Sequence, residues 1–176
     1  TTYNLIDSNK PIAQVNFLRE LPLPTGKTAR LLERTGDKPR VFGVDKQSGE
    51  EIIRFYPKAQ EAELIISEAK SDIYSFKPDY TLGDKKATTE IIKSLSLKLA
   101  NQDLEVNVIA RKNLQGNLER TFAVDKATGR ELIRYYPKAL EAELILSETS
   151  SDIYKYNPTT YNLIDSNKPI AQVNFL

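Results

Sequence analysis

Arg54 and Tyr56 lie two residues apart, with Glu51 three residues before the arginine, and the same trio returns as Glu131, Arg134 and Tyr136. Arginine and tyrosine dominate the energetic centres of protein interfaces, so these two pairs are candidate interaction residues. A cross-strand ion pair on a solvent face, beside a half-buried ring, is the plainer reading of the same spacing. Asp45-Lys46 and Asp125-Lys126 put a carboxylate in a turn, but no Asp-x-Asp-x-Asp-Gly pattern surrounds either one. Each carboxylate is therefore expected to bond its own turn amides rather than a cation. Tyr74, Phe76 and Tyr80, with Tyr154, Tyr156 and Tyr161, offer rings that could stack on sugars or bases. No basic stripe runs between the rings, which favours core packing.

What the chain lacks narrows its chemistry further. It has no His, Cys, Met or Trp, which removes disulfides, thiolate and imidazole metal sites, and His-dependent nucleophilic catalysis. An enzyme would need carboxylates, Lys, Tyr or Ser acting without histidine. The seven glycines form no phosphate-binding pattern. No catalytic residue, cofactor or metal ligand is therefore expected. The 25 Lys and Arg against 24 Asp and Glu give a net charge of +1, so no field attracts nucleic acid or an acidic membrane. No apolar run approaches the roughly 20 residues of a spanning helix, and none is expected to insert. Because the chain begins at Thr1 without a Met, it reads as a fragment or a mature form.

Its organisation is dominated by two repeats. Residues 1–18 (TTYNLIDSNKPIAQVNFL) recur at 159–176 with identity at all 18 positions. Inside, residues 42–78 align without gaps on residues 122–158, with 24 identities in 37. The inner repeat is an old, diverged duplication, whereas the terminal one is recent, kept identical by recombination, or engineered. Three parts follow: a first unit over 1–80, a second over 81–158, and the start of a further repeat over 159–176. A strand appended to fill an open edge is the rival to a natural array. Both copies remain, however, and Pro158 runs straight into Thr159 without a flexible linker, which favours the array.

In the second unit, alternation of Leu104, Val106 and Val108, and turn chemistry at 113–117 and 125–129, predict an antiparallel meander, which the first unit repeats through residues 40–45, the turn to Gly49, and residues 50–56. Pro57 and Pro137 suit the first turn of a helix. Ala59, Ala62, Ile66, Ala69 and Ile73, and Ala139, Ala142, Leu146, Thr149 and Ile153, then fall at spacings of one helical stripe. The expected fold class is thus α+β: two tandem modules, each a meander packed by one helix, with Ile66 inward. Residues 87–101 fit a helix with Ile91, Ile92, Leu95 and Leu99 inward, the favoured reading, while Leu95, Leu97 and Leu99 also fit a strand. The prolines and the alternation of Ala13, Val15 and Phe17 make residues 11–24 extended. These three residues and their copies Ala171, Val173 and Phe175 are candidates for strand pairing across unit boundaries.

The order of a lead-in, a strand, a hairpin and a final helix resembles the flagellar FlaG family. The matching residues are Val124-Asp125, Thr128-Gly129, Ile133-Arg134 and Pro137, with Val44-Asp45, Ser48-Gly49, Ile53-Arg54 and Pro57 in the first unit. The resemblance covers about 55 residues of each unit, and this chain departs from it in carrying tandem copies. It implies a meander plus a helix and a link to bacterial surface appendages, with no catalytic residue to carry over. The function expected from all of this is that of a structural or adhesive repeat in a long cell-surface or fibre-forming protein. Its partners would be neighbouring repeat units or copies of itself. A FlaG-like partner-binding module and a carbohydrate-binding module are the alternatives.

Overall fold

Glu61 to Ile65 is where the expected helix would begin, yet Ala62 and Leu64 are buried while Glu61, Glu63 and Ile65 are less so, the period of a strand. The same period governs the rest of the computed structural model, which describes residues 2–7, 10–100, 102–166 and 168–174, with side chains from residue 12 onward. Among the described residues there is no helix. The chain divides into two units, Thr1–Thr88 and Thr89–Leu176.

The first unit contains β1 (Thr2–Asp7), β2 (Lys10–Pro22), β3 (Thr28–Gly36), β4 (Arg40–Asp45), β5 (Glu51–Tyr56), β6 (Glu61–Ile65), β7 (Lys70–Phe76) and the beginning of β8 (Leu82–Lys98). From β1 to β7 each strand pairs antiparallel with the next. The second unit takes the end of β8 and continues through β9 (Asp103–Asn113), β10 (Leu118–Asp125), β11 (Glu131–Tyr136), β12 (Glu141–Ile145) and β13 (Ser150–Tyr156). It ends with β14 (Leu163–Ile164) and β15 (Ala171–Asn174).

The inner duplication is a duplication of register. Phe42 faces Arg54 and Ile53 faces Leu64, as Phe122 faces Arg134 and Ile133 faces Leu144. The β4–β5 and β10–β11 turns are each closed by their aspartate: the Asp45 carboxylate accepts from the Gln47 amide at 2.9 Å, and that of Asp125 from Ala127 at 2.8 Å. Gly49 and Gly129 end these turns at φ 76°, a conformation that disfavours any residue with a Cβ.

The cores match in the same way. Leu21, Leu31, Ile53, Phe55, Ala62 and Leu64 are central to the first, and Leu95, Val108, Ile133, Tyr135, Ala142 and Leu144 to the second. Each core includes a trio of rings. Phe55 meets Phe76 and Tyr80 edge-on, both at 5.0 Å, and Tyr135 meets Tyr156 at 4.8 Å and Tyr161 at 5.4 Å.

The α+β expectation is therefore corrected to all-β. The helical stripe crossed two turns: Gln60 donates to the Pro57 carbonyl at 3.2 Å, and the Ile66 amide to that of Lys70 at 2.9 Å. Each proline opens a β-turn instead of a helix. Ala62 and Ile73 do reach buried positions, on successive strands, but Ile66 and Leu146 are each 44% exposed. Residues 87–98 are likewise strand, ending β8 with Leu95 and Leu97 buried at alternate positions.

Candidate functional site

The duplicated end segment is the feature with the most unusual geometry, because one sequence takes two arrangements. In the first copy β1 folds back on β2, with Leu5 opposite Ala13 and Thr2 opposite Asn16. In the second copy the equivalent stretches, β14 and β15, both lie along β13. Leu163 pairs with Tyr156 and Ile164 with Lys155, while Ala171 pairs with Ile153 and Val173 with Ser151. The Ile170 amide donates to the Ile153 carbonyl at 2.7 Å, and the Gln172 side chain donates to the Asp152 carboxylate at 3.0 Å. Ser166 donates to the Lys98 carbonyl at 2.7 Å.

Tyr161 and Leu163 anchor this arrangement in the second core. Leu163 is buried, and the Tyr161 carbonyl accepts from the Tyr135 hydroxyl at 3.2 Å. Tyr80 and Leu82 hold the corresponding places in the first core. Both tyrosines adopt left-handed backbone, φ 70° and 64°, which a non-glycine residue holds only when its surroundings fix it. Sequence reasoning took these tyrosines as packing rings but missed that they close each unit. The signal was present as Tyr-x-Leu at 3–5, 80–82 and 161–163.

Ala13 and Val15 are buried on β2, and Phe17 is half-buried there, its ring under the Arg30 guanidinium at 4.6 Å. Ala171 and Val173 are exposed on β15. Phe175 lies outside the described residues.

Arg54, Tyr56, Arg134 and Tyr136 sit in a charged ladder that each unit repeats. Arg40 and Arg54 both pair with Glu51, and the Tyr56 hydroxyl donates to Glu63 at 2.8 Å. In the second unit Arg120 and Arg134 pair with Glu131, and Tyr136 donates to Glu143 at 2.7 Å. Arg40 and Arg120 also cover the rings of Phe42 and Phe122, at 4.1 and 4.2 Å. Burial raises the Glu143 pKa, but hydrogen bonds from Tyr136 and Ser151 and the charge of Arg134 outweigh it, and the carboxyl ends below its ordinary range. Burial and the charge of Glu63 push the Tyr56 phenol up. These cations are thus saturated by carboxylates of their own sheet, which fits a cross-strand ion-pair network.

Arg134 and Tyr136 also line a groove of 510 Å³ with Arg120 and Glu131. A groove of 480 Å³ in the first unit is lined by Arg34, Arg40, Phe55 and Tyr80, and it includes neither Arg54 nor Tyr56. The two linings share the equivalent positions Arg40 and Arg120, Phe55 and Tyr135, and Pro57 and Pro137. Among the described residues, no group of three or more acidic side chains is placed to hold a metal ion. No helix there is long and apolar enough to cross a membrane. Comparison with protein-family models, with curated proteins and with solved structures found no match to the chain.

Proposed function

We infer that this chain is a structural repeat module of a longer fibre-forming or adhesive protein, in which each unit's last strand is closed by the opening segment of the next. The observation that carries the reading is a difference in burial at identical positions. Val15 is 9% exposed and Val173 is 36% exposed, although the residues around them are the same. On β2, Val15 has β1 on one side and β3 on the other, opposite Arg34. Among the described residues, Val173 has only β13 beside it. A following unit with its own β3 would give Ala171 and Val173 the cover that Ala13 and Val15 have. The work of such a protein is mechanical, with units joined by backbone pairing instead of flexible linkers. A chain free of Cys and Met suits an oxidising cell surface, and we place the module there.

The test is a chain extended beyond residue 176 by the remainder of a second 158-residue period, melted in denaturant beside the original. The array reading expects the amides of residues 171–174 to gain protection from exchange and the second unit to unfold at higher denaturant. Unchanged protection and an unchanged midpoint would overturn it.

A further inference from the structure

We propose that the edge of β13 on which β14 and β15 lie is a strand-acceptor site, and that its second occupant is the N-terminal copy of the same sequence from another molecule of this chain. The proposal rests on the array reading above and extends it to association between separate chains.

Three observations converge on that occupant. First, the site is already filled by residues 163–164 and 171–174, so its chemistry is known. It takes backbone pairing along Ser150 to Tyr156, a leucine in the ring-lined core at position 163, and a left-handed tyrosine two residues before it. Second, residues 1–18 match every side chain of that occupant, with Tyr3 and Leu5 standing for Tyr161 and Leu163. Third, the sequence accepts more than one partner strand. Leu5 and Ala13 face each other within the β1–β2 hairpin, whereas Leu163 and Ala171 both face β13. The hairpin therefore exchanges one set of strand pairings for another when an open β13 edge is offered. The cost is the β1–β2 pairing and the pairing of residues 13–16 with β3, and the gain is the β13 pairing.

In the intact chain the C-terminal copy wins by tethering. It is joined to β13 through six residues, Asn157 to Asn162, and a linker that short gives an effective concentration on the order of millimolar. Exchange between chains is therefore suppressed until the C-terminal copy is weakened. It then links molecules head to tail, each giving β1 to the next one's β13, a heterologous contact that forms open chains or rings.

The experiment uses the full chain carrying Tyr161→Ala and Leu163→Ala, which weaken the C-terminal anchors and leave Tyr3 and Leu5 intact. Sedimentation over a concentration series is expected to show association beginning at about tenfold lower concentration than in the parent. A synthetic peptide of residues 1–18 in excess should return the variant to monomer. Adding Tyr3→Ala and Leu5→Ala should abolish self-association while leaving binding of the labelled wild-type peptide, read by fluorescence anisotropy. If the doubly substituted chain keeps its β-sheet circular dichroism, stays monomeric and binds no peptide, the proposal fails. If it loses that spectrum, Ile164→Pro replaces it, removing one edge position at an exposed residue, and the same two readings decide. Failure here leaves the extended-chain melt untouched, so the array reading stands or falls separately.

Discussion

Leu163 and Leu82 close two cores in the same way, each two residues beyond a left-handed tyrosine and each on the strand that follows the last hairpin of its unit. Both belong to segments that begin the next stretch of sequence. Each core is therefore closed by residues that follow the last hairpin of its unit.

Leu163→Ala should destabilise the second unit by about 2–4 kcal/mol, because it removes a buried side chain that neighbouring strands cannot collapse to replace. Ile164, next to it, is 50% exposed, and Ile164→Ala should change stability by no more than about 0.5 kcal/mol. Urea titrations followed by amide signals from each unit check both values.

Ile66→Asp should be nearly neutral, within about 0.5 kcal/mol, since Ile66 is 44% exposed at a turn. Leu64→Asp, at 1% exposure, buries an unpaired carboxylate and should unfold the first unit. The pair reverses what a helical stripe would require, and circular dichroism of the two variants distinguishes the readings.

The difference between Ile66 and Leu64 shows which parts of the fold were legible in the sequence. The hairpin at 45–49 was readable because its aspartate and glycine have one local use, and β4 and β5 lie where the alternation put them. Residues 61–65 were not, because Glu, Ala and Leu favour helices, and a five-residue and a seven-residue strand joined by a turn mimic a 3.6-residue period. The decision is made by Gln60 and Leu140, which take left-handed backbone at φ 56° and 52°, and by the sheet edge waiting beside them. The duplicated segment was legible as a duplication. Its two arrangements were not, because pairing partners far along the chain choose between them.

Gly43→Ala should cost about 1–3 kcal/mol by overpacking. A Cβ there would collide with Cγ2 of Ile53 and lie 3.2 Å from the Ala29 side chain. The second unit has Ala123 at this position, and Val108 where the first has the larger Leu31. Combining Gly43→Ala with Leu31→Val should therefore recover part of the loss, a non-additivity that a double-mutant cycle measures.

The second unit should be the more sensitive to alkali. Tyr135 and Tyr156 stand where the first unit has Phe55 and Phe76, and burial, reinforced by neighbouring phenols, raises both of their pKa values. A phenol whose folded pKa lies above its unfolded value of about 10 keeps a proton the unfolded chain releases. Its stabilisation is full below about pH 10 and is lost as the pH rises through the folded pKa. Tyr56 and Tyr136 are raised in both units and add to each. Denaturant midpoints of the two units, followed from about pH 8 to about pH 11, should diverge, and Tyr135→Phe with Tyr156→Phe should narrow the gap, with the raised Tyr154 remaining in the second unit.

Amide hydrogen exchange on the full chain, resolved by residue, tests the central claim most directly. The account predicts slow exchange at Tyr161, bonded to the Asn157 carbonyl at 2.7 Å, and at Ile170, bonded to that of Ile153 at 2.7 Å. Both amides should open together with those of β13. Exchange at these two amides as fast as in an unfolded chain, with β13 still protected, would contradict it.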